Sequence, residues 1–202
     1  MPRRRVSPLL ALALAFACQS SDSVQPDLRS ASTRLFAADQ QVAGHANGEG
    51  VVNVGVPMDF TMNALLRADG SATGEGFHHA VVATGTIEFR SRVTCLAIDP
   101  VNNRAWIGGV IIANNSTDPL RMQPRNEVGR DIWWRVVDYG NGLSGTVDRS
   151  TFVGFTGDAG IQTSAEYCTV RPWPGPNDVP PQPVDARTGP LLSGNLSVKL
   201  KD

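Results

Sequence analysis

Between Gly85 and Ala113 the chain alternates apolar and polar residues with a period of two. Ile87, Phe89, Val93, Cys95 and Ala97 take one parity, against Glu88, Arg90, Arg92 and Thr94 on the other. That period predicts a strand with one face buried and the other in water. A turn is expected over Asp99–Asn103, where Pro fixes φ and Asn tolerates positive φ. The return segment, Arg104 to Ala113, is apolar at both parities, which predicts a strand whose outer face also meets another element. Gly108-Gly109 within it predicts a bulge or a sharp bend.

The same grammar runs through the rest of the chain. Strands are expected over 41–47 and 51–56, separated by Gly48-Glu49-Gly50, and over 58–67, where Phe60, Met62, Ala64 and Leu66 alternate with polar residues. Asp69-Gly70 reads as a two-residue hairpin turn leading into a strand over 71–80. Asn114–Arg130 reads as a long polar loop and the most mobile part. Further strands are expected over 131–138, 150–156, 165–170 and 193–200. Nine or ten strands with hairpin-like links predict an all-β fold, a single antiparallel meander that is barrel-like, with a β-sandwich as the alternative. The distinction matters because a barrel of about eight strands can enclose a small ligand.

The first 40 residues follow a different pattern. Arg3-Arg4-Arg5, an apolar run from Leu9 to Ala17 and small residues at its end make a secretory signal over 1–17. The run is shorter than the about 20 residues a membrane span needs. Ala15-Phe16-Ala17-Cys18 resembles the lipobox of bacterial lipoproteins, with Ala15 where that pattern prefers Leu, so ordinary signal-peptidase cleavage is the rival. Residues 18–40 then read as a lipidated Cys18 and a flexible tether, and 41–202 as the all-β domain, with a Pro-rich connection at 171–192 that holds seven of the 14 Pro. Gln19, rather than Asp, after the Cys implies by the same resemblance an outer-membrane anchor.

Three Cys are present, and an odd thiol in an exported chain is a liability. With Cys18 lipidated, Cys95 and Cys168 are free to pair in an oxidising compartment; the alternative is two buried thiols. Removing residues 1–17 takes away three Arg and no acid, leaving 15 basic against 19 acidic residues, which argues against a nucleic-acid partner.

Candidate chemistry is thin. His78 and His79, adjacent on a strand, must face opposite ways, and His45 is the only other His. Asp138, Asn141 and Asp148 place oxygen ligands around glycines, as a hard cation requires, without the regular spacing of known calcium loops. Trp133 and Trp134 also face opposite ways, and an exposed one could stack on a sugar or apolar ligand. Glu75, Glu88, Asp131 and Glu166 are carboxylates that nothing singles out for glycoside chemistry. There is no Gly-x-Ser-x-Gly elbow and no phosphate-binding glycine loop, so no cofactor is expected.

Arg92–Ile111, Trp134–Gly142 and Ala165–Cys168 together resemble segments of an uncharacterised family of bacterial exported proteins. The shared features are an Ala-Asp-Gly hairpin (Ala68–Gly70), the Cys-Leu strand, an Asn-Arg-Ala-x-Ile-Gly-Gly return and a Val-x-Asp-x-Gly-x-Gly segment. The resemblance spans roughly Ala43 to Cys168 and implies export and an all-β domain, with no assigned reaction. Its second Cys agrees with a Cys95–Cys168 bridge. The expectation is a lipid-anchored envelope domain with a non-catalytic binding or structural role. The alternatives are a barrel carrying a hydrophobic molecule behind Phe60, Phe77, Phe89 and Trp106, and an envelope hydrolase or isomerase.

Overall fold

The computed structural model describes residues 41–140, 146–172 and 188–201. The signal segment, Cys18, the tether, Asn141 and most of the Pro-rich connection lie outside the described residues.

Among the described residues nine strands form one antiparallel sheet: β1 (Val42–Asn53), β2 (Pro57–Arg67), β3 (Ala72–Val82), β4 (Gly85–Asp99), β5 (Arg104–Asn114), β6 (Asp131–Val137), β7 (Arg149–Ser150), β8 (Gly154–Phe155) and β9 (Gly189–Leu200). From β1 to β6 each strand pairs with the next. The last strand, β9, returns to pair with β1. The two-residue β7 bridges β6 to β9, so the hydrogen bonding closes into a ring. The chain is therefore an all-β barrel-like meander, as the alternation predicts. Closure gives the strands from β1 to β5 partners on both edges, whereas β9 is paired along its length only with β1 and meets β7 at Gly189 and Pro190 alone.

The interior is filled by large apolar side chains. Met58, Phe60 and Met62 come from β2, Phe89 and Val93 from β4, Ile107 and Ile111 from β5, Trp134 and Val136 from β6, and Leu196 and Val198 from β9. Each such side chain contributes roughly 1.5–3 kcal/mol when removed from water. A second, smaller cluster lies outside the ring, where Ala97, Trp106, Trp133, Ile161, Tyr167 and Cys168 pack together. It forms because a helix, α1 (Ser164–Val170), lies on the outer face of β4 and β5. This is the covering element that the doubly apolar β5 predicts.

A bulge creates that outer cluster. Across the β4–β5 pair, Val93 faces Gly109 and Cys95 faces Gly108, leaving Thr94 as an extra residue. One inserted residue flips the parity of everything after it. Ile87, Phe89 and Val93 point inward as expected, but Cys95 and Ala97 point outward, and Leu96 and Ile98 take their place in the core. The Gly pair permits this. A β-carbon at Gly109 would lie 2.1 Å from the Arg92 carbonyl oxygen, and one at Gly108 2.8 Å from Cβ of Ser164 at the start of the helix.

Other expectations are corrected by the structure. The segment 165–170 is helical rather than extended, because Thr163 caps it and Glu166 closes the first turn. The strand expected over 150–156 is two separate two-residue pairings. The two strands expected over 41–56 are one, since Gly48-Glu49-Gly50 stays paired with β2 and β9. The Asp69-Gly70 turn is a three-residue loop closed by Gly70 N–H to the Arg67 carbonyl (3.0 Å) and Arg67 N–H to the Ser71 carbonyl (2.8 Å), with Gly70 at φ +83°. The final strand starts at Gly189 rather than Ser193.

The polar stretch after β5 is held by its own hydrogen bonds. It forms two 3-10 turns, Pro119–Arg121 and Pro124–Asn126. The Asn114 side-chain amide donates to the carbonyls of Arg121 (2.8 Å) and Asn126 (2.9 Å), and buried Asn126 donates to the Leu120 carbonyl at 3.1 Å.

Candidate functional site

Asp138 and Asp148 do come together, but as fasteners. Where β7 ends, no strand among the described residues lies beside the edge of β9 facing β6. Asp148 accepts the Leu196 N–H at 2.8 Å and the Tyr139 N–H at 2.9 Å; Asp138 accepts the Val198 N–H at 3.0 Å and the Gly140 N–H at 2.8 Å. Both carboxylates are buried and stand in for the missing ladder. Each of the four carboxylate oxygens thus accepts one backbone amide, which gives both acids a structural role, and Asn141 lies outside the described residues.

The two His separate as strand geometry requires. His79 is on the outer face, 3.4 Å from Asp59, with Phe77 stacked beside it and Arg90 above Phe77. His78 points into the barrel and is 1 % exposed, edge-on to Trp134 at 4.8 Å between ring centroids. Neither of its ring nitrogens has a hydrogen-bond partner, and burial pushes its imidazole down to about 3. It is a neutral ring at pH 7. His45 sits between β1 and β9, 3.2 Å from the Ser197 hydroxyl. Among the described residues no three His, Cys, Asp or Glu side chains converge as a metal-binding group.

The residues predicted to line an interior cavity do not share one side. Phe60 and Phe89 are in the core, whereas Phe77 and Trp106 are on the outside of the ring. Two of the carboxylates considered for hydrolysis are engaged at the start of α1. Asp131 accepts the Ser164 N–H (2.7 Å) and hydroxyl (2.6 Å), and Glu166 accepts the Gln162 N–H at 2.7 Å, so both serve the helix start.

Trp133 and Trp134 part company, Trp134 inward and Trp133 outward. The inward ring takes the space a side chain at Gly76 would need, 2.6 Å from its would-be β-carbon, and donates its indole N–H to Met62 Sδ at 3.3 Å. The outward ring stacks on Tyr167 of α1, with centroids 5.6 Å apart and planes 21° apart. Beside this stack runs a groove of about 470 Å³, lined by Trp133 and Arg135 of β6, residues 151–154, Asp158, Ala159, Tyr167 and Pro172.

The groove exists because α1 is fixed at several points. Cys95 and Cys168 are joined in a disulfide with Cα atoms 6.2 Å apart, tying the helix to β4. The Thr163 hydroxyl accepts the Glu166 N–H at 3.1 Å. After the helix, the Pro172 carbonyl accepts both the Trp106 indole N–H (3.1 Å) and Arg135 Nη1 (2.8 Å), so the chain is drawn down onto β5 and β6. At the far rim Asp158 accepts the Phe155 N–H at 2.9 Å and pairs with Arg125 at 2.8 Å. Sequence reasoning named Trp133, with Arg135 beside it, but missed Tyr167 and the helix. The Thr163-x-x-Glu166 spacing, a capping-box signature, was the available signal.

Burial raises the pKa of the Tyr167 phenol, with the nearby Arg135 charge opposing this, so the phenol remains protonated. Desolvation lowers the pKa of Arg121, which lies over the Phe152 and Phe155 rings at 4.7 and 5.6 Å. No family model, curated protein or solved structure matches the chain.

Proposed function

We propose that this chain is an extracytoplasmic, lipid-anchored binding domain without catalysis, in which the barrel is a rigid mount and the outer groove is the ligand seat. The observation that carries this reading is the groove itself. It is a concave site of about 470 Å³, within the usual range for small ligands, walled by an aromatic pair and braced by a disulfide. The filled interior favours an outer seat over an internal carrier site. The anchor rests on the signal-like first 17 residues and the lipobox-like Ala15–Cys18, and export is in keeping with the resemblance to uncharacterised bacterial exported proteins.

Two measurements test it. Expression of the full chain in a two-membrane bacterium, with and without an inhibitor of lipoprotein signal peptidase, should give a membrane-bound, lipid-bearing product that Cys18→Ala abolishes. Native mass spectrometry of the purified protein should show a co-purifying small molecule that Trp133→Ala displaces. A chain that stays soluble with Cys18 intact removes the anchor. A ligand whose occupancy ignores Trp133→Ala removes the groove.

A further inference from the structure

His78 carries two bare polar atoms into the apolar interior of the barrel. The ring is 1 % exposed, and among the described residues neither of its nitrogens has a hydrogen-bond partner. Buried polar groups are almost always paired, so such a ring marks a place where a partner belongs. The strand registers identify its inward neighbours. Phe60 and Phe89 stand directly opposite it on β2 and β4, and Met58, Met62, Ile87 and Ser91 lie on the diagonals. The one hydroxyl among these neighbours, that of Ser91, already donates to the Gly76 carbonyl at 3.3 Å. A buried water needs two to four polar partners, which this lining does not supply. What the lining does supply is sulfur.

Met62 is the better placed of the two thioethers. Diagonal neighbours on a strand pair lie about 7–8 Å apart, within reach of long side chains. Trp134 touches both members of this diagonal. Its ring is 4.8 Å from the His78 ring between centroids, and its indole N–H reaches Met62 Sδ at 3.3 Å. That hydrogen bond takes one lone pair of the sulfur and leaves the other. The Met side chain is also flexible enough to close on an ion beside the ring. Imidazole and thioether are donors for a soft metal ion, and thioether sulfur selects copper(I). Neither donor brings negative charge, and no carboxylate occupies the inward positions around them. A monovalent ion is therefore favoured over a divalent one, whose burial here would cost far more. We propose that His78 and Met62 bind one copper(I) ion inside the barrel, held between the imidazole and the sulfur beside the Trp134 indole. This site is separate from the outer groove, and its failure leaves that reading standing.

The test uses the full chain purified in detergent, with free thiols capped by iodoacetamide. Silver(I), a redox-inert stand-in for copper(I), is added to the folded protein and also before refolding from urea, so that slow entry is not read as lack of affinity. Native mass spectrometry counts the ions, tryptophan fluorescence reports on the indole, and competition with bicinchoninate measures copper(I) affinity. One tightly held ion per chain and a fluorescence change are expected, with zinc(II) unable to displace the ion. Met62→Leu and His78→Leu should each weaken binding at least about tenfold, since loss of even an outer partner of a metal ligand costs about 10–100-fold. Met62→Leu conserves volume, so the test stands on it even where His78→Leu folds poorly. His79→Gln and Met122→Leu, both on the outside, should leave the affinity unchanged. No ion retained by either loading route overturns the site. An affinity unchanged by Met62→Leu or by a folded His78→Leu overturns the ligand pair, and displacement by zinc(II) overturns the soft-ion class.

Discussion

Asp148 and Leu196, 48 residues apart, are joined by a 2.8 Å hydrogen bond from a strand amide to a side-chain carboxylate, where a barrel would ordinarily place a neighbouring strand. Asp138 does the same for Val198 at 3.0 Å. Asp148→Ala should cost about 1–3 kcal/mol, because it strands two amide donors, and Asp138→Ala should cost a similar amount. The double variant should depart from additivity, since both serve one seam. Urea unfolding of the four proteins checks this. Calcium added to the wild type should leave the midpoint unchanged, and a calcium-dependent rise would restore the cation reading.

The Cys95–Cys168 bridge closes a segment of 73 residues. In the chain-entropy model a loop of that length is worth about 4 kcal/mol. The paired Cys95→Ser, Cys168→Ser variant should lose roughly that much, and hydrogen exchange should quicken first in α1, the element the bridge ties to β4. Exchange that rises evenly over the whole barrel would show that the bridge does not act through the helix.

Acid should weaken the fold through His78. In the unfolded chain the ring takes up a proton near 6.5, whereas in the folded barrel it resists until about 3. The unfolded state therefore binds more protons across that window. The wild type should lose about 1.4 kcal/mol per pH unit through this group as pH falls from 6.5 toward 3, with no contribution above 6.5. His78→Leu removes the group while keeping the other titrating residues. The difference in unfolding free energy between the two proteins should be flat above pH 7 and should tilt toward the variant below 6. Parallel curves down to pH 4 would mean that His78 finds a partner.

Asp131 carries the start of α1 on two hydrogen bonds, from the Ser164 N–H and hydroxyl. Asp131→Ala should destabilise by about 1–2 kcal/mol, as loss of a helix N-terminal acceptor does. It should also loosen Tyr167, seen as a change in the fluorescence of the Trp133 stack. An unaltered spectrum with full stability would show that Thr163 alone holds the helix.

How far the chain could be read in advance varies by element. The strand over 58–67 was legible because it runs without a bulge, so Phe60, Met62 and Ala64 reach the core on the parity the alternation gives. The strand after Val93 was not, since the slip at Thr94 depends on how β4 registers against Gly108 and Gly109. The helix at 164–170 is too short to show a helical period, and only its capping residues distinguished it from a strand. At the site, strand alternation placed His78, His79, Trp133 and Trp134 correctly on opposite faces. The groove could not be foreseen, because Arg135, Tyr167 and Pro172 meet only through the disulfide and the Pro172 carbonyl. Asp138 and Asp148 resembled a cation loop because acids that replace backbone pairing have the same local composition as acids that bind metal.

The pairing of β9 with β1 brings Ser197 to His45 across 152 positions of sequence. The ring therefore stays open until nearly the whole domain has been synthesised. Until then β1 has an unsatisfied edge facing solvent, the arrangement that recruits foreign strands and seeds aggregates. Pairings this remote also slow folding, since the ends of a long chain must meet before their contacts can form. Folding should thus be slow, with the docking of β9 against β1 as its closing step.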